Sequence, residues 1–271
     1  MTLKKDISTR NALLLFFFLV FVISWSAVYL LAGPAGFPIT EDQAMVMGMA
    51  ILLGPTLASI ILTALMSGSS GFQGAFSRLL KWRVGVRWYT FALLIAPLST
   101  AAILGLFSLF SSEFQPNILL SSDKLSLIVS GIIGGLVVGI FEEFGWTGFA
   151  VPRLLKTHGI LGTGVILGVI WGAWHFPLFW EVNSFTESLP FVLLVARLFS
   201  WLPPYRTLMV WIYKNTESLL VTILMHTSLV ATLIVLDPII KGANLVIFIL
   251  ARATLLWVIV GLIIVRNRKK A

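Results

Sequence analysis

The chain has 271 residues, 58% of them hydrophobic and only 11% charged, with a mean hydropathy of +1.00. Soluble domains carry about 25% charged residues, so this balance excludes an ordinary water-soluble enzyme and makes the bilayer the natural solvent. The lack of cysteine excludes disulfides, thiolate metal sites and a cysteine nucleophile, and the net charge of +8, carried beside apolar stretches, reads as membrane flanking and not as a nucleic-acid surface.

A spanning helix needs about 20 mostly apolar residues. In chain order, spans are expected over 12–33, 44–67, 89–110, 125–145, 160–180, 190–212, 217–236 and 244–265. The first run, Asn11 to Gly33, follows Lys4, Lys5 and Arg10; it is too long for a signal-peptide core and is expected to stay as the first span. Between the second and third spans, Phe72 to Tyr89 interleaves Arg78, Lys81, Arg83 and Arg87 with Phe76, Leu79, Leu80, Trp82 and Trp88. That mixture suits a helix lying in the headgroup region, and Phe149 to His158 is a shorter version of it.

Lys and Arg concentrate on the cytoplasmic side of membrane proteins. With the N-terminus inside, the inner segments hold Lys4, Lys5, Arg10, Arg78, Lys81, Arg83, Arg87, Arg153, Lys156, Arg206, Lys214, Arg266, Arg268, Lys269 and Lys270. The outer segments hold only Lys124 and Lys241. The expected fold is an all-α integral membrane protein, a bundle of about eight transmembrane helices with both termini cytoplasmic and with interfacial amphipathic segments. Residues 1–271 form one polytopic domain, with short basic tails at 1–11 and 266–271. Its expected location is a membrane crossed many times, the plasma membrane for a prokaryotic source.

Charged side chains inside spans cost at least about 2.5 kcal/mol each, so those present usually mark function. Glu142 and Glu143 sit late in the fourth span, in Gly-Ile-Phe-Glu-Glu-Phe-Gly-Trp-Thr-Gly. Two adjacent carboxylates in low dielectric suit a general base or acid; the plainer alternative is a span end at which both reach water. His175 lies in Trp-Gly-Ala-Trp-His-Phe-Pro, one turn after Trp171, and Pro177 invites a bend. His226 is near mid-span in Leu-Met-His-Thr-Ser. For both histidines the alternative is an interhelical hydrogen bond. Arg197 and Arg252 are expected to reach towards an interface, and His158 to lie solvated in a basic loop. Gly131 to Gly139 lacks a phosphate-loop lysine and is expected to permit close helix packing. No HExxH or GxSxG occurs. Glu142, His175 and His226 are the set that could hold a divalent metal if one is used; the same residues suit a water-activating base with imidazole partners, for which no cofactor is expected.

These stretches together resemble the membrane protease family that includes the CAAX prenyl endopeptidases and the bacteriocin-processing and immunity proteins. The resemblance runs from about 125 to 232. Its three motifs are EExxxR, FxxxH and HxxxN. Glu142 and Glu143 fill the acidic positions, within Glu-Glu-Phe-Gly-Trp-Thr-Gly-Phe-Ala-Val-Pro-Arg-Leu. His175 fills the second motif, with Trp171 in place of Phe, and His226 fills the third. Thr147 stands at the arginine position and Val230 at the asparagine position.

The resemblance implies an intramembrane endopeptidase acting on membrane-associated peptides, prenylated ones among them. Glu142 would be the general base, Glu143 its acidic neighbour, His175 a partner imidazole and His226 an oxyanion donor. Thr222, Thr227 and Ser228 are the hydroxyls near enough in sequence to replace the lost amide. Thr147 and Val230 favour a second reading, a pseudoprotease that binds or escorts a membrane partner. Proton-coupled transport is a third, since intramembrane Glu and His also suit proton relays.

Overall fold

A computed structural model of the chain describes residues 8–32 and 41–268. Lys4, Lys5, Lys269 and Lys270 of the basic tails lie outside the described residues. Among those residues every regular element is helical: α1 (Thr9–Ala32), α2 (Glu41–Ile51), α3 (Leu53–Leu79), α4 (Val86–Phe107), α5 (Lys124–Gly145), α6 (Ile160–Trp174), α7 (Ser188–Val195), α8 (Leu202–Thr216), α9 (Leu219–Val235) and α10 (Gly242–Arg268). In lipid no water satisfies backbone N–H and C=O groups, so an apolar chain meets that need within helices. Among the described residues six stretches are long and apolar enough to cross a membrane: Thr9–Ala32, Met45–Leu79, Val86–Phe107, Lys124–Leu154, Ser188–Thr216 and Gly242–Arg266. The shorter apolar helices α6 and α9 fall on the remaining two expected spans. Large apolar side chains face outwards, among them Phe18 (64% exposed), Leu30 (77%) and Leu262 (66%). The chain is a multi-pass integral membrane protein.

Three boundaries differ from the sequence expectation. The fourth span does not stop at 145: a π-helical turn, Trp146–Ala150, carries it into Val151–Leu154. The fifth stops early, because α6 ends at Trp174 and Pro177 starts a separate short helix, Phe176–Phe179. The sixth runs through a second π-helical turn, Ala196–Ser200, into α8. Ahead of the 72–89 segment, Gly68 takes φ +54, ψ −140 and kinks α3. A positive φ with this ψ is readily adopted only by glycine, which has no Cβ.

Close packing then positions the site. Gly131, Gly135 and Gly139 recur every four residues on one face of α5, where added Cβ atoms would meet α9: Val235 and Ala231, then the Thr227 carbonyl, then the Ile223 carbonyl. Small residues at this spacing let two helix backbones touch in a membrane, as expected for this run. Glu143 is one turn beyond Gly139 on that face, and so points at α9. A similar stripe, Gly164, Gly168 and Gly172, seats α6 on Thr207, Pro203 and Leu198. The end of α6 is tied to the front of the chain: Trp174 Nε1 donates to Ser24 Oγ (2.8 Å), and Ser24 donates to the Ile51 carbonyl (2.6 Å).

The intramembrane arginines part company. Arg197 pairs with Glu181 at 3.0 Å on a partly exposed surface, in keeping with an interfacial position. Arg252, expected to do the same, is instead 4% exposed. It is paired with Asp237, bonded to Thr100 Oγ1 at 3.4 Å and packed over the Phe248 ring. Burial in a low-dielectric interior requires such a partner, and Asp237 at the end of α9 is within its reach.

Candidate active site

Glu142, Glu143, Thr147 and His226 are at most 2% exposed, as is Arg206 from α8. Glu143 is saturated. Arg206 Nη1 donates to both of its oxygens at 2.9 Å, His226 Nδ1 bonds Oε1 at 2.8 Å, and Thr147 Oγ1 donates to Oε2. Because that carboxylate is an acceptor for the other donors, the proton of the His226 contact lies on Nδ1, which leaves Nε2 as the ring's other functional atom. Thr147 lies four residues after Glu143, on the same helix face, at the start of the π-helical turn Trp146–Ala150. Such turns widen a helix by one residue and recur at functional sites.

Glu142 is held differently. Trp171 Nε1 donates to its Oε2 at 2.7 Å, and its Oε1 makes no hydrogen bond among the described residues. Trp171 is the hub of the site. Its ring lies under the Arg206 guanidinium (4.2 Å) and packs edge-on against His226 (5.3 Å) and His175 (5.4 Å). His175 caps α6 and donates from Nδ1 to the Trp171 carbonyl at 2.8 Å, leaving Nε2 as a lone pair in the neutral ring. Linear counting puts Glu142 near the inner end of its span and His175 nearer the outer end of its own. The extension of the fourth span to Leu154 and the early end of α6 remove that separation, and both residues touch the same indole.

The residues divide into a neutralised pair, Glu143 with Arg206, and a second carboxyl, Glu142, held by one hydrogen bond. Glu143 and Arg206 cancel one another where an unpaired charge would cost several kcal/mol. Glu142 retains an unbonded oxygen beside imidazole and guanidinium groups. Arg206 also keeps two N–H groups, on Nε and Nη2, that are buried and without a partner among the described residues. The hydroxyls of Thr222, Thr227 and Ser228 are committed elsewhere, to the carbonyls of Leu219 (2.8 Å), Gly135 (3.2 Å) and Leu93 (2.7 Å). They do not replace the amide missing at Val230. Among the described residues no three His, Asp or Glu side chains gather as metal ligands, so Glu142, His175 and His226 do not form the metal set that their spacing allows.

Residues 124–232 match the family model described as type II CAAX prenyl endopeptidase Rce1-like. Over that segment the chain is similar to this family. Its members are membrane peptidases, and the matched residues contain Glu142, Glu143, His175, Arg206 and His226. A CAAX prenyl protease 2 from Methanococcus maripaludis is 30% identical over 97 residues, which are 34% of this chain. The match spans about a third (35%) of that relative's length.

Arg206 is the site's unforeseen member. Counting basic residues by side groups it with the inner loops, and it is in fact fully buried. One signal was present: it falls within the expected span 190–212, flanked by Leu-Pro-Pro-Tyr and Thr-Leu-Met-Val, where an arginine is costly. His158, expected to be solvated, is exposed.

Proposed function

We propose that this protein is an intramembrane endopeptidase that hydrolyses a membrane-associated peptide with a water activated by Glu142. The observation that carries the reading is the contrast between the two glutamates: Glu143 has every acceptor position engaged, while Glu142 keeps one oxygen unbonded at the same buried locus. Glu142 takes a proton from water and the hydroxide attacks the peptide carbonyl carbon. The proton then passes to the departing amine, giving a new carboxylate and a new amine. The free N–H groups of Arg206 and the imidazole of His226 stabilise the oxyanion, and His175 orients the water. Such donors are worth about 10²–10³ in turnover each. A prenylated peptide is the substrate class suggested by the family and by the relative's name.

The second reading, a pseudoprotease that binds a membrane partner, is favoured by one observation. Val230 offers no donor, and the neighbouring hydroxyls are spent on backbone carbonyls.

A cleavage assay separates the two. Purified protein in lipid is given farnesylated, geranylgeranylated and unmodified peptides, with products read by mass spectrometry and Glu142→Gln in parallel, with and without chelator. Cleavage lost in the variant and indifferent to chelator is expected. No cleavage by folded wild type, beside an active control peptidase, overturns the endopeptidase reading.

A further inference from the structure

One end of the bundle gathers the ends of α3 and α8 and the chain after Val151–Leu154. Ser218 Oγ donates to the Lys81 carbonyl at 2.7 Å and Lys81 pairs with Glu217 at 3.1 Å, which fixes these ends against one another. Between them lies a pocket of about 460 Å³ with Arg78, Lys81, Lys156, Lys214 and Glu217 in its wall. Four cations face one carboxylate, and that carboxylate is already engaged by Lys81. Among the described residues Lys156 and Lys214 make no ion pair, and both are exposed. Arg78 spends Nη2 on the Gly148 carbonyl (3.1 Å), while its buried Nε has no partner.

A second recess adjoins the first. It is a groove of about 960 Å³ between α3 and the 140–153 stretch, and Ser77 and Arg78 line both recesses. Away from Arg78 its walls include Ile60, Phe72, Ile140, Phe141 and Phe144. The Gly68 break falls midway along its α3 wall, between Ser67 and Ser70. The groove's charged residues, Arg78 and Arg153, stand at the helix ends, where headgroups lie; its membrane-spanning part is mostly apolar, with the hydroxyls of Thr56, Ser59, Thr63 and Ser67 among its lining.

We propose that the two recesses form one binding site for an anionic phospholipid, with its phosphate in the cation pocket and an acyl chain in the groove. Charge complementarity selects an anion: each Lys or Arg near an anionic headgroup is worth about 1 kcal/mol, roughly fivefold in affinity. Continuity through Ser77 and Arg78 selects a lipid over a free phosphate, which would need only the pocket. Glu142, Glu143, His175, His226 and Arg206 line neither recess, so the proposal stands apart from the peptidase reading.

The test is native mass spectrometry of the full chain in detergent, titrated with phosphatidylglycerol or phosphatidylcholine. Glycerol 1-phosphate and inorganic phosphate serve as competitors, and melting temperatures are recorded for each variant. One phosphatidylglycerol is expected to bind about tenfold more tightly than phosphatidylcholine. The exposed pair Lys156→Ala/Lys214→Ala is expected to weaken it about 25-fold with unchanged melting, following the fivefold per cation. Ala75→Trp, which fills the groove, is expected to weaken both lipids. Equal binding of the two lipids, wild-type affinity in the lysine pair, or complete displacement by low-millimolar inorganic phosphate each overturns the proposal.

Discussion

Arg206 and Glu143 are 63 residues apart in sequence and meet through two 2.9 Å hydrogen bonds, with both side chains fully buried. This pair accounts for the threonine at the arginine position of the first motif. The cation is supplied from α8, and Thr147 adds its hydroxyl to the same carboxylate. An arginine thus holds Glu143, supplied by α8 and not by the first motif.

Removing one member of a buried pair leaves an uncompensated charge. Arg206→Leu is expected to destabilise the protein by about 3–5 kcal/mol, and the double variant with Glu143→Gln by less than the sum of the two singles. Unfolding in detergent followed by circular dichroism, run as a double-mutant cycle, checks this. Additive losses would show that the pair is not coupled.

Glu142→Gln keeps an oxygen for the Trp171 indole N–H while abolishing the base. Turnover is expected to fall at least about 10²-fold, a typical general-base contribution, with the melting temperature unmoved. A large drop in melting temperature would instead assign Glu142 a structural role.

Val230→Asn places an amide one turn beyond His226. If a missing oxyanion donor limits the wild type, turnover is expected to rise about tenfold or more, towards the 10²–10³ that one donor is worth. Single-turnover rates on a cleaved peptide measure it, and an unchanged rate would mean that Arg206 already serves the oxyanion.

The α5–α9 contact is set by glycines whose neighbours are backbone. Gly135→Val would drive a side chain into the Thr227 carbonyl, which cannot turn aside. Loss of the folded monomer on size-exclusion chromatography is expected, whereas Gly134→Ala, whose nearest neighbour is the end of Ile234, is expected to be tolerated.

Arg252 and Asp237 form a second ion pair, away from the glutamates, with Asp237 about a quarter exposed. Arg252→Gln is expected to cost about 2 kcal/mol, below the fully buried case because water reaches one partner. Turnover per folded molecule should not change, which sets this variant apart from Arg206→Leu in the same pair of assays.

The helical membrane fold was legible in the sequence because hydropathy is a property of each segment alone: a run of about 20 apolar residues must satisfy its backbone internally wherever it sits. Glu142, Glu143, His175 and His226 were legible for a related reason, since a polar group inside such a run is costly without a purpose. The ends of the spans were not. Whether α5 stops at Gly145 or continues through Trp146–Ala150 to Leu154 depends on packing against α3, where an added Cβ at Gly145 would meet the Pro55 carbonyl. Arg206 stayed hidden because charge counting treats a cation as a marker of side, whereas its position follows from the partner it finds. That partner lies on another helix, and its approach is permitted by glycines on α5 and α6. The sequence by itself determined which residues could not remain unpaired in lipid. Only the tertiary structure decided the pairing: Arg206, His226 and Thr147 engage Glu143, while Glu142 is left with the Trp171 indole and one free oxygen. Such a pairing depends on the distance between side chains far apart along the chain, which hydropathy and spacing do not contain.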